Sequence, residues 1–168
     1  IDPKRLAWLF DIDGTLLLTE GAAHEAFVHA VRDRLRVDDD LSDIAFAGRT
    51  EPLILADILR KHGATFADSD EARFWDSVFG HMRRVFHPGR GRLLPGVSAL
   101  LDAVEREPTW GMGLLTGNMT QMAAIKLRQF GIADRFALGA FGEEAADRNA
   151  LACVAVKRAA ARFGVSPE

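Results

Sequence analysis

The sequence predicts an α/β protein: a Rossmann-like parallel sheet with an α-helical module inserted after its first strand. Two observations carry that expectation. The runs Leu6-Ala7-Trp8-Leu9-Phe10 and Trp110-Gly111-Met112-Gly113-Leu114-Leu115 contain no charged residue, as strands buried on both faces of a parallel sheet do. Between them, residues 19–92 carry helical rather than strand periodicity.

The first strand, residues 6–10, runs directly into Asp11-Ile12-Asp13-Gly14-Thr15-Leu16-Leu17. Ligands of open α/β sheets bind beyond the carboxyl ends of the strands, where Asp11 and Asp13 fall. On extended backbone, residues i and i+2 point the same way, so the two carboxylates can converge on one ligand. Two such charges repel unless a cation joins them, and a hard metal bound through oxygen is one solution. Turn formation by Asp11 and Asp13-Gly14 is the plainer alternative.

Helices follow. Over residues 20–37, Ala23, Phe27, Ala30, Val31 and Leu35 recur at helical spacing. Asp38-Asp39-Asp40 then reads as a solvated loop. A second helix opens at Thr50, a good N-cap, with Pro52 in its first turn, an apolar face of Ile54, Leu55, Ile58 and Leu59, and Gly63 at its end. A third, over residues 69–86, carries Phe74, Trp75, Val78, Phe79, Met82 and Phe86 as a core-facing stripe. Residues 87–91, His-Pro-Gly-Arg-Gly, form a loop.

The sheet part resumes with a turn at 93–97 and a helix through Leu100, Leu101 and Val104. The second apolar strand ends in Thr116-Gly117-Asn118. Asn118 is placed to cap a helix over residues 119–130, with Gln121 completing a capping box. A strand ending in a hydroxyl and opening a helix is a ready anion site, because helix N-terminal N–H groups favour phosphate. A third strand, residues 136–140, and a last helix, residues 150–163 with Gly164 as its stop, complete the chain. The expected division is a core of residues 1–18 and 93–168 and a helical cap of residues 19–92.

Composition narrows the function. A chain of 168 residues can bury a core, and 48% hydrophobic with 27% charged residues is ordinary for a globular protein. A net charge of −3 gives no footprint for nucleic acid. No apolar run is long enough to span a membrane, and no signal peptide is visible, so the expectation is a cytoplasmic protein. The single cysteine, Cys153, excludes an internal disulfide and is expected to be buried in the last helix.

The run Asp11-Ile12-Asp13-Gly14-Thr15-Leu16-Leu17 after an apolar strand resembles the first signature of the haloacid dehalogenase superfamily of hydrolases, and within it the phosphoglycolate phosphatase-like branch. The resemblance implies that Asp11 is a nucleophile forming an aspartyl-phosphate and Asp13 a general acid and base. It further implies Mg²⁺ held partly by the Asp11 carboxylate and the Asp13 backbone carbonyl, with Gly14 and Thr15 beside the substrate. Thr116 takes the second signature's place, hydrogen-bonding the transferring phosphoryl group, with Gly117 and Asn118 as neighbours. Family members commonly carry Lys-Pro further on; here the sequence is Asp147-Arg148-Asn149, so the basic role passes to Arg148, with Lys157 the second candidate. Gly48-Arg49-Thr50 matches a cap loop that reaches toward substrate, and Arg49 suits a carboxylate or phosphate.

The implied activity is Mg²⁺-dependent hydrolysis of a small phosphorylated, phosphoglycolate-like metabolite. A haloacid dehalogenase or a sugar-phosphate mutase of the same fold, or a truncated non-catalytic interaction module, are the alternatives. A receiver domain fits badly, because its acceptor and Thr lie on nearby strands with no large helical insert. The family's fourth signature, Asp ligands after a later strand, has no counterpart before Glu168. The core is therefore expected to be incomplete at its C-terminus, leaving residues 6–10 with an unpaired edge.

Overall fold

A computed structural model describes residues 5–166 of the protein. Residues 1–4 and 167–168, the ends of the two expected core segments, lie outside the described residues. The central sheet has three parallel strands in the order β1-β4-β5: β1 (Leu6–Phe10), β4 (Trp110–Leu115) and β5 (Leu138–Ala140). Both long apolar runs are strands over the expected residues. Among the described residues β1 forms one edge of the sheet. The third strand starts two residues later than its sequence pattern indicates: a 3-10 turn spans Ala133–Arg135, and pairing with β4 begins at Leu138.

Between β1 and β4 the chain leaves and re-enters the sheet through a two-stranded antiparallel ribbon, β2 (Leu17–Leu18) with β3 (Arg92–Leu93). Two-residue strands carry no periodic signal, so this ribbon is absent from the sequence reading. Beyond it lie α1 (Ala22–Leu35), α2 (Glu51–Lys61) and α3 (Asp68–Val85). After β3 come α4 (Val97–Glu105), then α5 (Thr120–Gln129) behind β4, and α6 (Arg148–Phe163) behind β5.

Each group of helices buries the stripe its sequence marks. Phe27, Ile54, Ile58, Phe74, Val78 and Met82 form one apolar core among α1, α2 and α3. Phe27 meets Phe46 and Trp75 edge-on, at centroid distances of 5.3 and 5.9 Å, a geometry that adds about 0.5–1.5 kcal/mol per pair beyond burial. A second core joins the sheet to α4 and α5 through Phe10, Ile12, Leu101, Leu114 and Leu127. Met122 of α5 belongs to the first core and Ala123 to the second, so α5 is packed on both sides.

Two expectations are corrected here. Cys153 is exposed, because α6 turns Leu151, Ala155 and Ala159 inward and leaves Cys153 on another face. The acidic run is not simply solvated: Asp39 accepts from Leu41 N–H at 2.9 Å and pairs with Lys61 at 2.7 Å and His62 at 2.8 Å. Those contacts, Lys61 foremost, hold its carboxyl down at about 2 and tie the loop to the end of α2.

Candidate active site

Three neighbouring strands deliver the site. The register Phe10↔Leu114 and Leu115↔Ala140 sets the carboxyl ends of β1, β4 and β5 side by side. Asp11 and Asp13 follow β1, Thr116-Gly117-Asn118 follows β4, and Arg148 opens α6 after β5. A cavity of about 410 Å³ lies over these ends. Its floor includes Asp11, Asp13, Asn118, Lys126 and Arg148, and α1 with the loop before α2 closes it with His24, Phe27, Phe46 and Arg49.

The two carboxylates have separate partners. Asp11 accepts from the Arg148 guanidinium at 2.9 Å and, through its other oxygen, from Ile12 N–H at 2.8 Å. Asp13 accepts from Lys126 Nζ at both oxygens, 2.8 and 2.7 Å, and from Asn118 Nδ2 at 2.8 Å. The charge repulsion expected of the pair is thus offset by two protein cations, one per carboxylate. Lys157 is exposed on α6 and does not line the cavity, whereas Arg148 touches Asp11.

Asn118 does not cap α5. Its Nδ2 donates to Asp13 and to Thr116 Oγ1, at 2.8 and 2.7 Å, and its Oδ1 accepts from Lys126 at 2.6 Å. The capping box with Gln121 is therefore corrected: Met119 is the N-cap residue, and α5 has no side-chain cap of its own. Carboxylates from elsewhere take the task. Glu51 accepts from Met119 N–H at 2.8 Å, and Glu143 accepts from Thr120 N–H at 2.9 Å. Negative charge at a helix N-terminus is favourable, and here protein carboxylates occupy the N–H groups that the sequence offers to a phosphate.

Glu51 sits at the first position of α2 and is buried. Burial pushes its carboxyl up to about 7, against the pull of the Lys126 charge and the Met119 N–H. The same junction is closed by backbone. Glu51 N–H donates to Gly117 C=O at 2.9 Å, and Gly142 N–H donates to Asn118 C=O at 2.8 Å. A Cβ on Gly117 would lie 2.3 Å from Arg49 O, and one on Gly142 would lie 2.1 Å from Gly117 O. Only glycine permits these approaches.

A family model for haloacid dehalogenase-like hydrolases matches residues 8–168. The chain belongs to the haloacid dehalogenase-like hydrolases. Solved structures share the fold of this hydrolase. A predicted phosphoglycolate phosphatase from Haemophilus somnus 129pt is 16% identical with a TM-score of 0.67, covering 96% of this chain and 72% of its own. A hydrolase from Pseudomonas syringae is 18% identical with a TM-score of 0.70, covering 97% and 72%. CbbY from Rhodobacter sphaeroides, solved in complex with phosphate, is 21% identical with a TM-score of 0.73, covering 92% and 72%. No curated protein sequence matches the chain.

Within this hydrolase, seven of the residues singled out from sequence line the cavity: Asp11, Asp13, Gly14, Arg49, Gly117, Asn118 and Arg148. Thr15, Thr50 and Thr116 do not. Thr15 is exposed, Thr50 and Thr116 are buried, and Thr116 Oγ1 accepts from the Asn118 side chain. The Arg49 guanidinium, in the loop before α2, is paired with Asp57 of α2. Lys126 and Glu51 are the residues that sequence reading missed. Lys126 nonetheless leaves a trace: it falls on the buried stripe Met122, Ala123, Lys126, Leu127, where a charge needs a partner.

No group of three or more His, Cys, Asp or Glu side chains able to hold a metal occurs among the described residues. The donors that remain are one Asp11 carboxylate, whose oxygens each accept a single hydrogen bond, and the Asp13 carbonyl. Such a set fits Mg²⁺, which keeps several waters and binds through one or two carboxylates plus substrate phosphate.

Proposed function

We propose that this hydrolase cleaves phosphate monoesters of small metabolites, with Asp11 as the nucleophile. The observation that carries the reading is the pairing of Asp11 with Arg148 on the cavity floor, two residues from a second, separately held carboxylate. A carboxylate nucleophile splits hydrolysis into formation and breakdown of an aspartyl-phosphate.

In the first half, an Asp11 Oδ attacks phosphorus and the ester oxygen leaves, taking a proton from Asp13. Arg148 lowers the charge repulsion between Asp11 and the incoming phosphate, and its remaining N–H groups are free to donate to phosphoryl oxygens. In the second half, Asp13 takes a proton from water as that water attacks the phosphorus. The bond from phosphorus to the Asp11 oxygen breaks, and inorganic phosphate leaves with the Asp11 carboxylate restored. Mg²⁺ would be held by the Asp11 carboxylate and the Asp13 carbonyl, and would supply further charge neutralisation on the phosphoryl oxygens. The cavity of about 410 Å³, with Ala23, His24, Phe27, Phe46 and Ile54 above the floor, suits a small leaving group.

The test is phosphate release with and without Mg²⁺ in wild type and Asp11→Asn. The variant is expected to lose at least about a thousandfold in kcat with an unchanged melting temperature. Wild-type turnover by Asp11→Asn would remove the nucleophile assignment.

A further inference from the structure

We infer that Lys126 is a positioning residue that holds the Asp13 carboxylate through both half-reactions and does not itself bind phosphate. The inference rests on the proposed role of Asp13. Lys126 is 2% exposed, although it lines the cavity floor, and its Nζ makes three hydrogen bonds: to Asp13 Oδ1, Asp13 Oδ2 and Asn118 Oδ1. An ammonium has three N–H donors. All three are committed, so none remains for a substrate oxygen.

Asn118 is committed in the same way. Its two amide hydrogens go to Asp13 Oδ2 and Thr116 Oγ1, and its carbonyl oxygen accepts a hydrogen bond from Lys126 Nζ. These partners fix which end of the amide is which, because only the NH₂ end can face a carboxylate. The result is a closed network with one open end, the Asp13 carboxylate, whose side chain is 44% exposed to the cavity. Arg148 differs: it is 37% exposed and spends one terminal nitrogen on Asp11, keeping donors for a ligand.

A carboxylate on an exposed loop samples several rotamers, and an acid–base group works only in one narrow placement. Lys126 comes from the second turn of α5, whose packing on both cores gives it little freedom. Bidentate contact from a fixed ammonium therefore holds the Asp13 side chain in one placement facing the cavity. Removing the ammonium leaves Asp13 solvated, since it already faces the cavity, so loss of the fold is not the expected outcome.

The experiment compares phenyl phosphate with p-nitrophenyl phosphate, two esters of nearly equal shape whose leaving groups differ in their need for a proton. Lys126→Met is expected to lower kcat on phenyl phosphate about a hundredfold, and about tenfold less on p-nitrophenyl phosphate, with KM little changed. Lys126→Arg is expected to recover part of the phenyl phosphate loss, because a guanidinium can also hold a carboxylate at two oxygens. Asn118→Ala provides the second arm: the same leaving-group-selective loss, and less than additive with Lys126→Met. Equal losses on both esters, or a loss confined to KM, would overturn the inference and return Lys126 to a structural or phosphate-binding role. If Asp11→Asn stays active, it is the phosphatase reading that fails; an inactive Asp11→Asn beside an unselective Lys126→Met sinks this inference alone.

Discussion

Glu51→Gln tests the buried carboxyl at the junction of α2 with α5. Glutamine keeps the oxygen that accepts from Met119 N–H but cannot ionise. In wild type the folded-state pKa is about 7 against an ordinary 4.5, so the folded protein holds this proton more tightly than the unfolded chain does. Stability contributed by the protonated form is then complete below the lower value and is lost as pH rises through the higher one. The full cost of ionising Glu51 in place is about 3 kcal/mol, from a shift of roughly 2.5 units at 1.36 kcal/mol each. Between about pH 5 and about pH 8.5 the wild type loses about 2.5 kcal/mol of it, because the unfolded group is already largely ionised at the lower pH. The assay is urea unfolding of both proteins at both pH values. Other titrating groups are common to the two and cancel in the difference. Relative to wild type, Glu51→Gln is expected to gain about 2.5 kcal/mol between the two conditions, a relative midpoint shift of roughly 1 M urea. A stability difference that stays constant with pH within about 0.5 kcal/mol would refute the reasoning, and with it the reading that burial outweighs the Lys126 charge and the Met119 N–H at Glu51.

Two further outcomes follow from the site. Gly117→Ala would set a methyl 2.3 Å from Arg49 O, forcing backbone apart; it is expected to cost about 1–3 kcal/mol in urea unfolding and to lower activity by displacing the loop before α2. Wild-type stability for that variant would mean the two loops do not meet. Arg148→Met is expected to lower kcat for phosphate release by about 10²–10³-fold, with Arg148→Lys intermediate; a loss seen only in KM would confine Arg148 to binding.

What could be read from sequence was local. Residues 6–10 and 110–115 read as strands because they carry no charge to solvate, though at the sheet edge only Phe10 of β1 is fully buried and residues 6–9 are half-buried. The stripes through Phe74 and Ile54 had to face a core. Asp11 and Asp13 were legible because a carboxylate pair directly after such a strand has little structural reason to exist. Asn118 shows where local signals mislead. Its place before a helix is that of a cap, but a buried lysine two turns on and a carboxylate 105 residues away make better partners than the Thr120 or Gln121 N–H it would cap. The caps that replace it, Glu51 and Glu143, lie on other elements and have no spacing signature at all. Cys153 failed for a narrower reason: an Ala-rich helix does not announce which of its faces is inward, and Leu151 and Ala155 took that face.

The two carboxylates differ in the exposure and hydrogen bonding of their cations, and that difference supports the proposed roles. A nucleophile must release its counter-charge partly to the incoming phosphate, so its cation needs exposure and spare donors. Arg148 has both, at 37% exposed with one nitrogen engaged. An acid–base group must stay at one position while phosphate arrives, bonds and leaves, so its cation should be buried and saturated. Lys126 is both, at 2% exposed with three acceptors. The cost of burying that lysine is offset by the two Asp13 oxygens and the Asn118 carbonyl, and breaking any one contact leaves part of a buried charge uncompensated. Exchanging the roles, with Asp13 as nucleophile and Asp11 as acid, would set the attacking oxygen against a cation that cannot move and the proton carrier beside one that can. The geometry therefore favours Asp11 as the attacking group on grounds independent of its place in the sequence motif.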